Sequence, residues 1–166
     1  HQQNVSVFGD TNLGGGLIDE LILSGAMAAS RDQKALEAVF EESPAWRSYC
    51  ELEARRLKES YFLDEEKWAE APLCRTLTVC YDEPLALELS IGGASIRKMV
   101  EQPIPALGGR SFVGCLKGAL CAAVEVSRSC PPEVVILTGG ASRMAFFQQA
   151  CREAFADALV VLCPEP

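Results

Sequence analysis

The residues of this sequence best suited to bind a ligand are Gly139, Gly140 and Arg143. They follow an apolar run, 133–138, that predicts a buried strand, and a helix is predicted from Ser142 to about residue 156. Open α/β sheets bind ligands at the carboxyl ends of their strands, and glycine lets a ligand approach the backbone closely. The start of this helix favours a polar or anionic ligand. Arg143 would lie in its first turn, where a cation interacts unfavourably with the helix dipole, so we expect Arg143 to have a role other than stabilising the helix. The equally weighted alternative is a plain strand-to-helix turn.

A second group of polar side chains lies on the most clearly predicted helix, which begins at Pro44, with Ser43 as its cap, and continues to about Ser60. Glu53, Arg56 and Ser60 are spaced i, i+3 and i+7, so they form a row on one face. The apolar stripe beside this row is expected to face the core and consists of Cys50, Ala54, Leu57 and Tyr61. The alternative is a solvated face with an ion pair between Glu53 and Arg56.

A glycine triplet, Gly14, Gly15 and Gly16, precedes another predicted helix. It is not a P-loop, because no Lys-Ser/Thr follows it to hold phosphate and magnesium. It also lacks the Gly-x-Gly-x-x-Gly spacing of a dinucleotide-binding domain, as does the pair at 139 and 140. A flexible loop is the alternative interpretation.

Hydrophobic periodicity predicts the elements that position these residues, in an α+β fold with one antiparallel hairpin, several helices and a terminal strand-GlyGly-helix-strand unit. Strands are expected at 5–8, 73–79, 85–91, 133–138 and 159–162, and helices from 17, at 33–42, 44–60, 95–101, 111–128 and 142–156. The last two strands should be parallel, because a crossover helix joins them. Prolines and glycines in 103–109 predict irregular structure.

The length of 166 residues indicates one compact domain. Within it we expect residues 1–16 and 131–166 to form a sheet-containing base, with 17–130 inserted as a helical and hairpin subdomain.

A net charge of −8 without a basic cluster disfavours nucleic acid as a partner. No apolar run is long enough to span a membrane, and residues 1–4 lack the basic and apolar blocks of a signal peptide, so a cytoplasmic location is expected. The eight cysteines are expected to be reduced and structural rather than a disulfide framework, and a single histidine disfavours a metal site.

Three segments of the chain together resemble the 70-kilodalton heat-shock chaperones of the actin, hexokinase and heat-shock ATPase superfamily. The strand that ends in Gly139 and Gly140, with Arg143 three positions later, is similar to the adenosine motif of that family. Residues 53–60, Glu-Ala-Arg-Arg-Leu-Lys-Glu-Ser, resemble the family helix that supplies Glu, Lys and Ser to the adenosine, with Arg56 in place of Lys.

The third segment, 9–15, is Gly-Asp-Thr-Asn-Leu-Gly-Gly and resembles the chaperone signature Gly-Asp-Thr-His-Leu-Gly-Gly, with Asn12 in place of His. Asp19 stands where the family motif ends in Asp, but Gly16 replaces its acidic residue. The order of the three segments matches the family, so the resemblance covers nearly the whole chain and implies the second lobe of an actin-like ATPase.

The resemblance implies that this lobe binds the adenosine side of ATP or ADP. Glu53, Arg56 and Ser60 would contact the ribose and adenine, and Leu57 would supply an apolar wall. On the opposite side, three residues would complete the site: the glycines 139 and 140 by admitting the nucleoside, and Arg143 by stacking on the purine. Gly14 and Gly15 would have a weaker role near the phosphates.

The departures from the family concern catalysis. Its phosphate loops, catalytic lysine and acidic residues would precede His1, so we expect the chain to belong to a longer protein, in which Mg²⁺ and ATP hydrolysis would reside, and not to hydrolyse ATP alone. An alternative function, also implied by the family, is a protein-interaction module that binds a nucleotide-exchange factor or cochaperone and retains the fold without turning over nucleotide.

Overall fold

The computed structural model describes residues 12–80 and 82–163, which form an α+β fold as predicted. The predicted strand at 5–8 lies outside the described residues. The helices are α1 (Gly15–Ala29), α2 (Gln33–Glu42), α3 (Pro44–Leu63), α4 (Gly93–Glu101), α5 (Phe112–Val126) and α6 (Ala145–Ala154). The strands are β1 (Leu73–Val79), β2 (Leu85–Ile91), β3 (Val134–Leu137) and β4 (Leu159–Leu162), and short 3₁₀ turns occupy Glu65–Trp68, Pro105–Leu107, Ser127–Ser129 and Gly140–Arg143.

The chain divides into two compact units. The central unit is Gly16–Met99, and the flanking unit contains residues 12–15 and 100–163 of the described chain. The first division lies beside the predicted one at residue 16. The second lies at residue 99 instead of residue 130, because α5 packs against α6 and therefore belongs with the terminal strand-turn-helix-strand segment.

In the central unit, α3 carries the buried stripe predicted from the sequence, and Cys50, Ala54, Leu57 and Tyr61 are each at most 3% exposed. Pro44 occupies the first turn as expected. The predicted side-chain cap is wrong, because Ser43 makes no side-chain hydrogen bond at this helix start. Ser43 joins two helices through its backbone: its N–H donates to Val39 and its carbonyl accepts from Trp46.

The hairpin of β1 and β2 is antiparallel with the predicted boundaries, and Leu73 pairs with Ile91 at one end and Val79 with Leu85 at the other. Burial alternates along both strands, as period-2 geometry requires. The inward-facing residues of β2 pack under α3. Arg75 occupies an inward-facing position of β1, on the same side as Leu77 and Val79.

In the flanking unit, Ser111 caps α5 by accepting a hydrogen bond from the Gly114 N–H at 3.0 Å. The α5–α6 contact includes an edge-to-face pair of Phe112 and Phe146, with ring centroids 5.9 Å apart. Residues 103–109, predicted to be irregular, contain the turn Pro105–Leu107, which a bridge between Ile104 and Arg110 closes. Such a turn needs the left-handed backbone that Gly108 supplies with φ of 64°.

Strands β3 and β4 pair in parallel as predicted, from Val134 with Leu159 to Leu137 with Leu162. The prediction that the first of them is a buried strand is wrong, because Ile136 is 65% and Val134 49% exposed. Only Leu137 of this strand is buried. Residues two apart share a face, so Val134 and Ile136 lie on one exposed face of β3 and Leu137 lies on the opposite face.

No helix in the described part of the chain is long and apolar enough to cross a membrane. All eight cysteines carry free thiols, and Cys50, Cys115 and Cys151 are buried. Burial, with the nearby Glu51 and Glu53 carboxylates, raises the pKa of the Cys50 thiol to about 11, so it stays protonated at neutral pH.

Two of the central helices are joined by a buried ion pair. Nζ of Lys58 in α3 lies 2.6 Å from Oδ1 of Asp19 in α1, and both side chains are at most 7% exposed. Nε of Arg55 donates to the other oxygen of Asp19 at 3.3 Å. A buried carboxylate without a partner is costly, so these two cations make the position of Asp19 tolerable.

We predict that Lys58→Met lowers the free energy of unfolding by about 3–5 kcal/mol, because the Asp19 charge stays buried without its nearest partner. The double variant Asp19→Leu/Lys58→Met should recover most of that loss, since neither charge is then buried. Urea denaturation followed by circular dichroism measures both effects. Lys34→Met, at an exposed position of α2, is the matched control and should change stability by less than about 0.5 kcal/mol. An equal effect of Lys58→Met and its control would contradict the prediction.

Candidate functional site

The Gly139–Gly140 turn begins where β3 ends, and both of its glycines are exposed. Gly139 has φ of 81° and ψ of 165°, a conformation that side chains with a Cβ rarely adopt. A Cβ added at either glycine would meet no atom within 4 Å. Conformation therefore requires glycine at 139, whereas at 140 the space in front of the backbone is open to a ligand.

Ser142 closes this turn from inside the protein. Its buried hydroxyl donates to the Gly139 carbonyl at 2.6 Å, and its backbone N–H donates to the same oxygen at 3.1 Å. Arg143 follows at a half-buried position, and its carbonyl accepts from the Gln148 amide at 3.3 Å. The turn is thus held in one conformation by hydrogen bonds that leave its glycine face outward.

The helix predicted from Ser142 begins three residues later, because Gly140–Arg143 forms a 3₁₀ turn and Met144 is extended before α6 starts at Ala145. The prediction that Arg143 lies in the first turn of that helix is therefore wrong, and so is the argument from the helix dipole. Arg143 instead ends the 3₁₀ turn that carries the glycines.

On α3 the polar row Glu53, Arg56 and Ser60 is not a uniformly solvated face. Glu53 is only 6% exposed, and its Oε1 accepts from Nη1 of Arg56 at 2.6 Å. Its Oε2 accepts from Nη1 of Arg75, which reaches α3 from β1. Both carboxylate oxygens thus have a guanidinium partner, and the two arginine side chains remain 58% and 40% exposed, respectively.

Two opposing effects act on the pKa of Glu53. Desolvation by burial raises it, whereas the hydrogen bonds and positive charges of Arg75 and Arg56 lower it. The second effect is the larger, so the pKa lies below its ordinary value and the carboxylate is ionised at neutral pH.

Sequence reasoning missed Arg75. The signal was present, because Arg75 interrupts the inward-facing series of β1, in which Leu73, Leu77 and Val79 are apolar. A charged residue at an inward-facing strand position needs a partner of opposite charge, but the sequence does not indicate which carboxylate supplies it.

Ser60 and Leu57 differ in whether a ligand could reach them. The Ser60 hydroxyl is exposed but donates to the Arg56 carbonyl one turn earlier at 2.8 Å, so its oxygen can meet a ligand as an acceptor. Leu57 is 1% exposed and belongs to the core, so the proposed apolar wall at this residue is wrong.

The glycine triplet marks the start of α1. Gly14 precedes the helix, with its N–H donating to the Asn12 carbonyl at 3.1 Å, and Gly15 is the first helical residue. The Asn12 side chain donates to the Ala106 carbonyl at 3.1 Å. These residues therefore form an ordered helix start and not the flexible loop of the alternative interpretation.

The candidate residues fall into three local groups. Glu53, Arg56 and Ser60 share one face of α3 in the central unit, whereas the residues of the glycine turn and Arg143 share one turn of the flanking unit. Gly14 and Gly15 belong to the flanking unit and stand directly before the division at residue 16.

The chemistry of these groups fits the base and sugar of a nucleotide more closely than a metal. Guanidinium groups stack on π systems, and an open glycine backbone admits a flat ligand. Among residues 12–80 and 82–163, no cluster of three or more His, Cys, Asp or Glu side chains could hold a metal ion. Comparison of the chain with protein-family models, with curated proteins and with solved structures gave no match.

We predict that Glu53→Gln lowers the free energy of unfolding at pH 7 by about 1–3 kcal/mol, because two charge-assisted hydrogen bonds lose their anion. Because the Glu53 pKa is lower in the folded state, its contribution is present above the unfolded pKa and is lost as pH falls through the folded value. The gap between wild type and variant should therefore close as pH falls from neutral through the lowered pKa of Glu53 in the folded state. Urea denaturation across this pH range measures it, with Glu59→Gln, an exposed carboxylate of α3, as control. A gap independent of pH would contradict this assignment.

We also predict that Gly139→Ala destabilises the protein by about 1–2 kcal/mol, because alanine is strained at φ of 81°. Gly140→Ala should change stability by less than about 0.5 kcal/mol, since its φ is not in the left-handed region and a methyl group there meets no neighbour. Thermal unfolding of the two variants side by side distinguishes the two glycines. Equal losses at both positions would show that backbone conformation does not separate them.

Proposed function

We propose that this chain is the adenine-nucleotide-binding lobe of an ATPase related to the 70-kilodalton heat-shock chaperones. In this proposal it supplies the adenosine side of the site for ATP or ADP, and the catalytic phosphate and Mg²⁺ chemistry resides elsewhere in a longer, cytoplasmic protein. The observation that supports it most directly is the rigid Gly139–Gly140 turn, with open space in front of Gly140 and Arg143 at its end.

The physical argument is one of access and preorganisation. Ser142 fixes the turn before a ligand arrives, so little conformational entropy remains to be lost at these residues on binding. An exposed backbone without Cβ atoms can contact a flat heterocycle at van der Waals distance, and a guanidinium beside it can stack on the ring, which contributes about 1 kcal/mol.

The proposal predicts binding of ATP and ADP by the 166-residue chain in isothermal titration calorimetry, with dissociation constants of a millimolar or lower. Gly140→Ala should weaken binding about tenfold without changing stability, because its methyl group occupies the space that the nucleoside would take. Arg143→Ala should weaken binding about fivefold through the lost stacking. Gly118→Ala, a helical glycine with open space around it, is the matched control and should bind like wild type. Absence of binding heat at millimolar ATP or ADP would contradict the proposal.

The second candidate function is a protein-interaction module that binds an exchange-factor-like partner and no nucleotide. The open face of the β3–β4 sheet favours it, because Val134, Ile136, Leu159 and Val161 are 38–65% exposed on one side. Parallel sheets are normally covered on both faces, and contiguous exposed apolar surface often marks an interaction site. The nucleotide titration separates the two functions, since this alternative expects no heat with ATP or ADP.

A further inference from the structure

We propose that Arg75 belongs to the nucleotide site, and that Arg56 and Arg75, oriented by the single carboxylate of Glu53, form a paired guanidinium surface that contacts a purine base. This inference rests on the proposed function and adds a contact residue from the hairpin. The ligand class is a planar aromatic base that carries hydrogen-bond acceptors.

Burial decides which groups a ligand meets on this part of the molecule. Glu53 is 6% exposed, whereas the side chains of Arg56 and Arg75 are 58% and 40% exposed. A ligand that approaches Glu53 here therefore meets its two guanidinium partners and not the Glu53 carboxylate itself. Glu53 acts as a positioning residue, which differs from the ribose contact that the family resemblance implies.

The geometry orients both cations before a ligand arrives. Each donates Nη1 to a different oxygen of one carboxylate, so that two long side chains from separate elements share one fixed anchor. Free arginine side chains lose rotamer entropy on binding, and this prior fixation reduces that loss. The three charges sum to +1, which leaves the pair attractive to the π face and to the acceptor atoms of a base.

Glu53 has more cationic partners than a single ion pair requires. Arg56 alone, three residues along the same helix, already gives Glu53 an ion-pair partner. Arg75 adds a second one from a strand position where the inward-facing pattern is otherwise apolar, and it keeps two fifths of its side chain exposed.

Isothermal titration of the 166-residue chain with ADP and, separately, with adenosine tests the inference. Arg75→Ala should weaken both ligands by about three- to tenfold, which corresponds to the loss of one guanidinium–base contact. Arg75→Lys keeps the charge but not the planar fork, so it should recover only part of the affinity. Arg97→Ala, an exposed arginine of α4, is the matched control and should leave both affinities unchanged.

A double-mutant cycle tests whether the two arginines act as a pair. Arg56→Ala/Arg75→Ala should weaken ADP by less than the product of the two single effects, because either single change already disorders the shared arrangement. Strictly multiplicative effects would show two independent charges and would overturn the pairing. If Arg75→Ala fails to fold, as judged by circular dichroism, Arg75→Gln and Arg75→Lys carry the same comparison.

The outcomes separate this inference from the function on which it rests. Wild-type protein that binds neither ligand overturns the proposed function and the inference together. Wild-type binding with Arg75→Ala within twofold overturns the inference alone. A loss for ADP without a loss for adenosine shows attraction to the phosphates and overturns the base contact.

Discussion

The central unit depends on two buried carboxylates, each of which is held by two cations. Asp19 pairs with Lys58 and Arg55, and Glu53 pairs with Arg56 and Arg75. Burying a carboxylate without such partners costs several kcal/mol, so the cations must reach these positions whenever the unit is folded. One pairing ties α3 to α1 and the other ties it to β1, and together they fix the rotation of α3 about its axis. The face that α3 turns outward follows from that rotation.

This arrangement also determines the local charge. Asp19 and Glu53 each have two cationic partners, so each of these clusters sums to +1 in a chain whose net charge is −8. An anionic or π-rich ligand would be attracted to such a cluster at short range, whereas Glu51 and Glu59 add negative charge elsewhere on α3.

Local patterns predicted much of the fold. The hairpin boundaries and the buried stripe of α3 came directly from period-2 and 3.6-residue spacing, because both depend on which side chains must leave water. The start of α6 was misplaced, since no strong capping residue precedes it and the turn at Gly140–Arg143 has helical backbone of its own. The burial of Glu53 could not be derived from its helix alone, because the second cation comes from a strand 22 residues away in sequence. The open face of β3 was also missed, since an apolar run indicates a strand but not whether anything covers it.

The open aliphatic face of the β3–β4 sheet has a consequence for the behaviour of the protein at high concentration. This face exposes β-branched and other aliphatic side chains, namely Val134, Ile136, Leu159 and Val161. Two molecules that associate through it would bury apolar surface, which lowers their free energy. The net charge of −8 opposes such encounters, but salt screens that repulsion over about 8 Å at physiological ionic strength. Solubility of this chain therefore depends on the balance between apolar attraction and charge repulsion between molecules. Added salt shifts that balance toward self-association without requiring a change in the fold.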